Sequence, residues 1–140
     1  PTRGLLDTNV IIHLEHHAGA GTLPDEACTC AIVLAELAQG VPTAGSALEA
    51  YARGQRLDRA EHWFNPLPFD ARAARAYGEM VALTLAAGRE PRPRRLDLMI
   101  AATAKANDVA LYTENAKDSS GLEGPVRIVS LASPDGAVAA

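Results

Sequence analysis

Apolar positions along this chain alternate between short unbroken runs and longer stretches of helical period. Gly4, Leu5 and Leu6 predict a short buried strand that ends at Asp7, Thr8 and Asn9. Val10, Ile11, Ile12 and Leu14 then suit a helix that fades near Gly19 and Gly21. Residues 27–32 are a second strand candidate, followed by a short helix over 33–39 that Gly40 and Pro42 stop. Residues 44–64 have helical character with an interruption at Gly54. The Asn65 to Asp70 stretch, with two prolines, is a turn-rich connector, and Asp70 is placed to cap a helix running towards Gly88. Tyr77, Met80 and Val81 form the apolar side of that helix, and Arg72, Arg75 and Glu79 a polar stripe. Asp97 opens a further helix through about Ala106, and residues 109–113 and 126–131 complete the strands. Strands separated by helices predict an α/β domain, a central parallel sheet flanked by helices on both faces. In such sheets the site lies outside the carboxyl ends of the strands.

Four acids fall at that rim. Asp7 ends the first strand. Glu36 lies on the helix after the second strand, away from the apolar side of Val33, Leu34, Leu37, Ala38 and Val41. Asp97 has only Ala101 and Ala104 beside it one turn on, and Asp118 follows the last-but-one strand. Taken singly, Asp7 and Asp97 read equally well as helix caps, Glu36 as a solvated helix residue and Asp118 as a loop acid. Together, carboxylates converging on one rim would repel each other unless a cation neutralised them, and an all-oxygen set suits Mg²⁺ or Mn²⁺.

The segments carrying these acids resemble one family. Leu5-Leu6-Asp7-Thr8-Asn9-Val10-Ile11-Ile12 looks like the opening of a PIN domain. Leu34-Ala35-Glu36-Leu37-Ala38-Gln39-Gly40 resembles the A-E-L-x-x-G segment of the VapC toxins in that superfamily. Leu96-Asp97-Leu98-Met99-Ile100-Ala101-Ala102 is similar to their D-x-x-I-A-A segment, and Thr113-Glu114-Asn115-Ala116-Lys117-Asp118 to T-x-N-x-x-D. The four stand in family order and spacing across essentially the whole chain. Ser119 departs from the aromatic that commonly follows the last acid.

The resemblance implies a single PIN-like domain over 1–140, with a core of about 3–131 and a C-terminal tail over 132–140. It implies a metal-dependent ribonuclease with one or two Mg²⁺ or Mn²⁺ ions, cutting structured RNA (transfer or ribosomal) to leave 5′-phosphate and 3′-hydroxyl ends. Asp7, Glu36 and Asp97 would be its core acidic ligands. Asn115 and Asp118 are joint candidates for the fourth position, Asp118 as a further metal ligand. Thr8 and Thr113 would orient the acids through hydrogen bonds. The partners implied are an antitoxin of the VapB kind that blocks the site, often with a basic side chain, and a second copy of the chain in a homodimer.

Composition agrees with a globular enzyme. The 140 residues are 48% hydrophobic and 21% charged, with 17 acidic and 13 basic side chains and a formal net charge of −4. That balance excludes a broadly basic nucleic-acid binder. Setting aside Asp7, Glu36, Asp97 and Asp118 leaves 13 acids against 13 bases, so the surplus can be confined to one pocket. No apolar run approaches membrane-spanning length and no signal-like segment opens the chain, so a soluble cytoplasmic protein without membrane contact is expected.

Other features have plainer readings. Arg89, Arg92, Arg94 and Arg95 precede Asp97 and could clamp RNA phosphates, or form a solvated connector stiffened by Pro91 and Pro93. His13 and His17 share a helix face, but there is no H-E-x-x-H order and no third ligand nearby, so they read with Glu15 and His16 as a solvated helix end. Cys28 and Cys30 read as buried reduced thiols on one strand face. Trp63 and Phe64 could stack on bases, though core or subunit packing suits them better. No P-loop, dinucleotide-binding or G-x-S-x-G motif is present. Two rivals stay open: a PIN-like module that binds without cutting, and a phosphotransfer domain using Asp7 as nucleophile. For the latter, Asn9 stands where a dehalogenase-like site would want a second Asp, and a receiver domain would want an acidic pair where only Asp7 is found.

Overall fold

The computed structural model describes residues 2–134; residues 135–140, the greater part of the expected tail, lie outside the described residues. Four parallel strands, β1 (Arg3–Leu6), β2 (Glu26–Cys28), β3 (Ala110–Thr113) and β4 (Ile128–Ser130), pair in the order β2-β1-β3-β4. Gly4 pairs with both Ala27 and Ala110, and Tyr112 with Val129. Gly4, Leu5 and Leu6 are all buried, as is every residue of β3, so both faces of the central strands are covered. Gly4 is required where it stands, because a Cβ there would lie 2.3 Å from Tyr112 Cε1.

Among the described residues six α-helices accompany the sheet: α1 (Thr8–Ile12), α2 (Leu14–Ala20), α3 (Ala31–Gly40), α4 (Ala47–Trp63), α5 (Ala71–Ala86) and α6 (Arg95–Ala106). The core joins Leu5 and Leu6 to Val10, Val33, Met80 and Leu98. The chain leaves β1 for β2 on one side and later returns to β3 on the other. The β1–β3 boundary is therefore the switch point at which the carboxyl ends of the strands leave a crevice.

Several boundaries differ from expectation for physical reasons. The strand predicted over 27–32 stops at Cys28. Cys30 forms an isolated bridge with Leu67, and α3 already begins at Ala31. A short apolar run does not distinguish buried strand from buried helix. The first helix is two helices, broken at His13 (φ −104°, ψ 31°). Helix α4 passes through Gly54 without interruption, its start at Ala47 fixed by Ser46, whose Oγ accepts from Glu49 N at 3.1 Å. Asp70 caps α5 as predicted, accepting from Ala73 N at 3.0 Å. Asp97 does not open α6: Arg95 and Leu96 precede it in the first turn. Among the described residues no helix is long and apolar enough to cross a membrane.

Candidate active site

Asp7 emerges from β1 as the N-cap of α1, so its backbone role and its position in the crevice coincide. One carboxylate oxygen accepts from Thr8 N at 2.8 Å and the other from Thr113 Oγ1 at 2.9 Å, tying the end of β1 to the end of β3. Thr8 does more than orient Asp7, because its hydroxyl also donates to Glu36 Oε1 on α3 at 2.8 Å. Thr113 Oγ1 in turn accepts from Asn115 N at 3.0 Å. Asp118 lies in a 3₁₀ turn over Ala116–Ser119; one of its oxygens takes a hydrogen bond from Asn115 Nδ2, and the other meets Arg94 NH1 at 3.2 Å. Asp97 reaches the same space from α6. A cavity of about 160 Å³ is lined by Asp7, Glu36, Asp97, Asn115 and Asp118 together, with Thr8 and Asn9 at its wall.

The electrostatics of this cavity are unbalanced. Burial is the main force raising the Asp7 carboxyl above its usual range, against the lowering effect of its bonds to Thr8 and Thr113. Glu36 is raised as well, by burial and by Asp7. Asp97 is pushed up to about 6, first by burial and then by Asp7, Glu36 and Asp118, with Arg94 acting weakly the other way. Such a set favours a cation. Its donors are all oxygen, and the chemistry fits a hard divalent ion held by Asp7, Glu36, Asp97 and Asp118.

The four arginines predicted beside the site divide into two pairs. Arg89 donates to Lys117 O at 2.8 Å and Arg94 to Asp118 O at 3.3 Å, so these two brace the 116–119 turn. Arg92 and Arg95 are exposed and border, with Glu36 and Asp97, a neighbouring open cavity of about 370 Å³.

Two readings of the sequence are corrected here. The histidine segment is not a solvated helix end: His17 is 1% exposed, and it and His13 both meet Glu114, a buried residue that the sequence did not single out. Glu114 fills a variable position of the last motif, and only its place between two signal-bearing residues could have drawn attention to it. Trp63 is not a core residue: it is 59% exposed, with the Arg59 guanidinium 6.0 Å from its ring centre. Cys30 is a buried thiol, pushed up to about 11 by that burial and so chemically inert. Cys28 is half-buried, and neither cysteine forms a disulfide.

Known proteins match this architecture throughout. Residues 4–117 match the PIN domain family. Ribonuclease VapC5 of Mycobacterium tuberculosis is 33% identical over 132 residues, covering 91% of this chain and 93% of that protein. The crystal structure of VapBC-5 from the same organism, a member of the VapBC family of toxin–antitoxin systems, superposes with a TM-score of 0.80 at 30% identity, over 94% of this chain and all of that one. FitAcB from Neisseria gonorrhoeae superposes with a TM-score of 0.74 at 25% identity, over 91% of this chain and 96% of that one. With its acids gathered at the β1–β3 crevice and its whole length matched, the chain belongs to the PIN domain family, in its VapC ribonuclease branch.

Proposed function

We propose that this chain is a Mg²⁺- or Mn²⁺-dependent endoribonuclease that hydrolyses structured RNA, transfer or ribosomal, as the toxin of a toxin–antitoxin pair in the cytoplasm. The observation that carries the reading is the convergence of Asp7, Glu36, Asp97, Asn115 and Asp118, from four separate segments, on one cavity at the β1–β3 crevice. The name of the relative Ribonuclease VapC5 supports the same class.

Asp7, Glu36, Asp97 and Asp118 would hold one or two ions, with Asn115 steadying Asp118. When bound, the ion supplies a more acidic water and offsets charge gathering on the phosphate. This chain's own residues do the rest. Thr8 and Thr113 hold the Asp7 and Glu36 oxygens in fixed directions, so the site is arranged before substrate arrives. Arg92 and Arg95, exposed beside Glu36 and Asp97, grip flanking phosphates and set the strand across the cavity. Water adds to phosphorus, the P–O3′ bond breaks, and the released oxygen takes a proton. The products carry 5′-phosphate and 3′-hydroxyl ends.

The antitoxin is a protein of the VapB kind whose basic side chain enters the acid cavity in place of the metal. Support for such a partner comes from VapBC-5, a toxin–antitoxin system of the same fold. The active form is a homodimer, checked by light scattering on the purified chain.

Sequencing of RNA 5′ ends after brief expression tests the activity. Discrete new 5′-phosphate ends are expected with the wild-type chain and none with Asp7→Asn. Full Mg²⁺-dependent cleavage by both Asp7→Asn and Asp97→Asn would overturn the assignment.

A further inference from the structure

Beside the acid cavity, and sharing no residue with it, three side chains converge from two distant segments. His13 occupies the break between α1 and α2, where its own side chain caps neither helix. His17 follows one helical turn later and so lies on the same face. Glu114 comes directly after β3. The Nδ1 of His13 lies 2.8 Å, and the Nε2 of His17 2.6 Å, from the same oxygen, Glu114 Oε2. All three ligand atoms lie within 4.8 Å of one another.

We propose that His13, His17 and Glu114 form a site for a nitrogen-preferring divalent metal, Zn²⁺ foremost, that clasps the α1–α2 break to the end of β3. The donor chemistry points to this class of ion. Two imidazoles and one carboxylate are a familiar three-ligand zinc set, whereas Mg²⁺ favours oxygen alone. Tetrahedral bonds of about 2.0–2.1 Å place ligand atoms roughly 3.3 Å apart, so each imidazole nitrogen would withdraw from Glu114 Oε2 by well under 1 Å and the two nitrogens, within 4.8 Å of each other, would settle at that same spacing.

Burial and access also fit. Glu114 is 7% exposed, and among the described residues its ion-pair partners are these two histidines alone, with no Arg or Lys to balance it. A buried carboxylate is hydrogen-bonded, paired or bound to a metal, and here both partners are metal-ligating imidazoles. The His13 side chain is 27% exposed, and His13 borders an open cavity of about 430 Å³, so the cluster lies close to the surface on that side. The clasp would act on structure. Glu114 sits between Thr113, which holds Asp7, and Asn115, which holds Asp118, so an ion here ties the support of the acid cavity to α1 and α2.

The test uses the full chain, stripped of metal and then kept in excess Mg²⁺ so that the acid cavity is satisfied. Calorimetric titration with Zn²⁺ is expected to show one equivalent bound, equally in wild type and in Asp97→Asn. Zn²⁺ at a hundredfold over Kd should raise the melting midpoint by about 8 °C. Co²⁺ in its place should give the intense visible absorption of a low-coordinate site. His13→Ala removes the less buried of the two imidazoles and leaves His17 in place. It should weaken Zn²⁺ by more than the roughly 10–100-fold that loss of a supporting partner costs, and abolish the Co²⁺ band. Glu114→Gln, similar in shape, should weaken binding in the same direction. Zn²⁺ binding that survives His13→Ala unchanged, or that vanishes in Asp97→Asn, would place the ion elsewhere and overturn the proposal. Absence of stoichiometric binding would leave a hydrogen-bonded cluster and overturn it equally. None of these readouts depends on ribonuclease activity.

Discussion

Two clusters of ionisable side chains lie at the same rim of one sheet, and they differ in how their charge is balanced. Around Glu114 a buried acid meets two imidazoles at hydrogen-bond distance. In the neighbouring cavity Asp7, Glu36, Asp97 and Asp118 face one another, and among the described residues the only ion pair is that of Asp118 with Arg94. The first arrangement is built to hold the fold together. The second sets several raised carboxyls against each other, with Arg94 the one paired cation among the described residues. A fold tolerates such a pocket when the missing charge belongs to a ligand, and stability surrendered at a site of this kind accompanies function.

The contrast breaks most sharply at Asp97. Asp97→Asn should cut RNA cleavage by at least about 10³-fold, because under the proposed function several kcal/mol of charge stabilisation would come from an ion that Asp97 helps hold. The melting midpoint should not fall. Single-turnover assays with Mg²⁺ alongside thermal melts check both halves.

The opposite signature is expected at the other cluster. His17→Ala leaves Glu114 with half its partners and opens a buried space, so stability should drop by roughly 3–5 kcal/mol in urea unfolding. A loss below about 1 kcal/mol would show that the cluster is not what closes this end of the fold.

A smaller effect separates the clusters by pH. The folded Asp97 carboxyl titrates at about 6 against an ordinary 3.8, so the folded chain holds its proton more tightly than the unfolded chain. In metal-free protein that contribution to stability is fully present below about pH 3.8 and is lost as pH rises through 6. Asp97→Asn should therefore stabilise the metal-free chain at pH 7, by on the order of 1–2 kcal/mol once solvent screening is discounted, and leave it unchanged near pH 4. Equal gains at both pH values would refute the repulsion account. Saturating Mg²⁺ should erase the difference.

The smallest effect concerns the rim. Removing Arg92 and Arg95 together should raise KM about tenfold and lower the salt slope of RNA binding by up to about 2, with kcat within about twofold. The substitution Arg94→Ala should instead lower kcat, because Arg94 holds Asp118 and the 116–119 turn rather than the strand.

Much of the acid cavity was legible along the chain. Asp7 stands at the end of β1, Glu36 in the helix after β2, Asp97 in the helix that leads into β3 and Asp118 in the turn after it. The alternation of strands and helices already predicts a parallel sheet with a crevice at its carboxyl rim. What stayed hidden depended on partners remote in sequence. The pairing of His13 with Glu114 spans 101 positions, so no local period announces it. His17 reads as polar and is buried because the end of β3 supplies its acid. Trp63 reads as apolar and stands exposed at the last position of α4, whose buried residue is Ala60. The broken helix at His13 and the continuous one through Gly54 reverse what residue propensity suggests, since tertiary packing outweighs preferences of about 1 kcal/mol.

By itself, then, the order of residues determined most of the segments that become strands and helices, the layered class they build, and the arrival of Asp7, Glu36, Asp97 and Asp118 at the rim, because these follow from periodicity and short-range turn chemistry. Only the tertiary structure decided which of those charges are balanced. Balance depends on distances between segments that the chain brings together from far apart, and on the burial that makes an unpartnered charge costly.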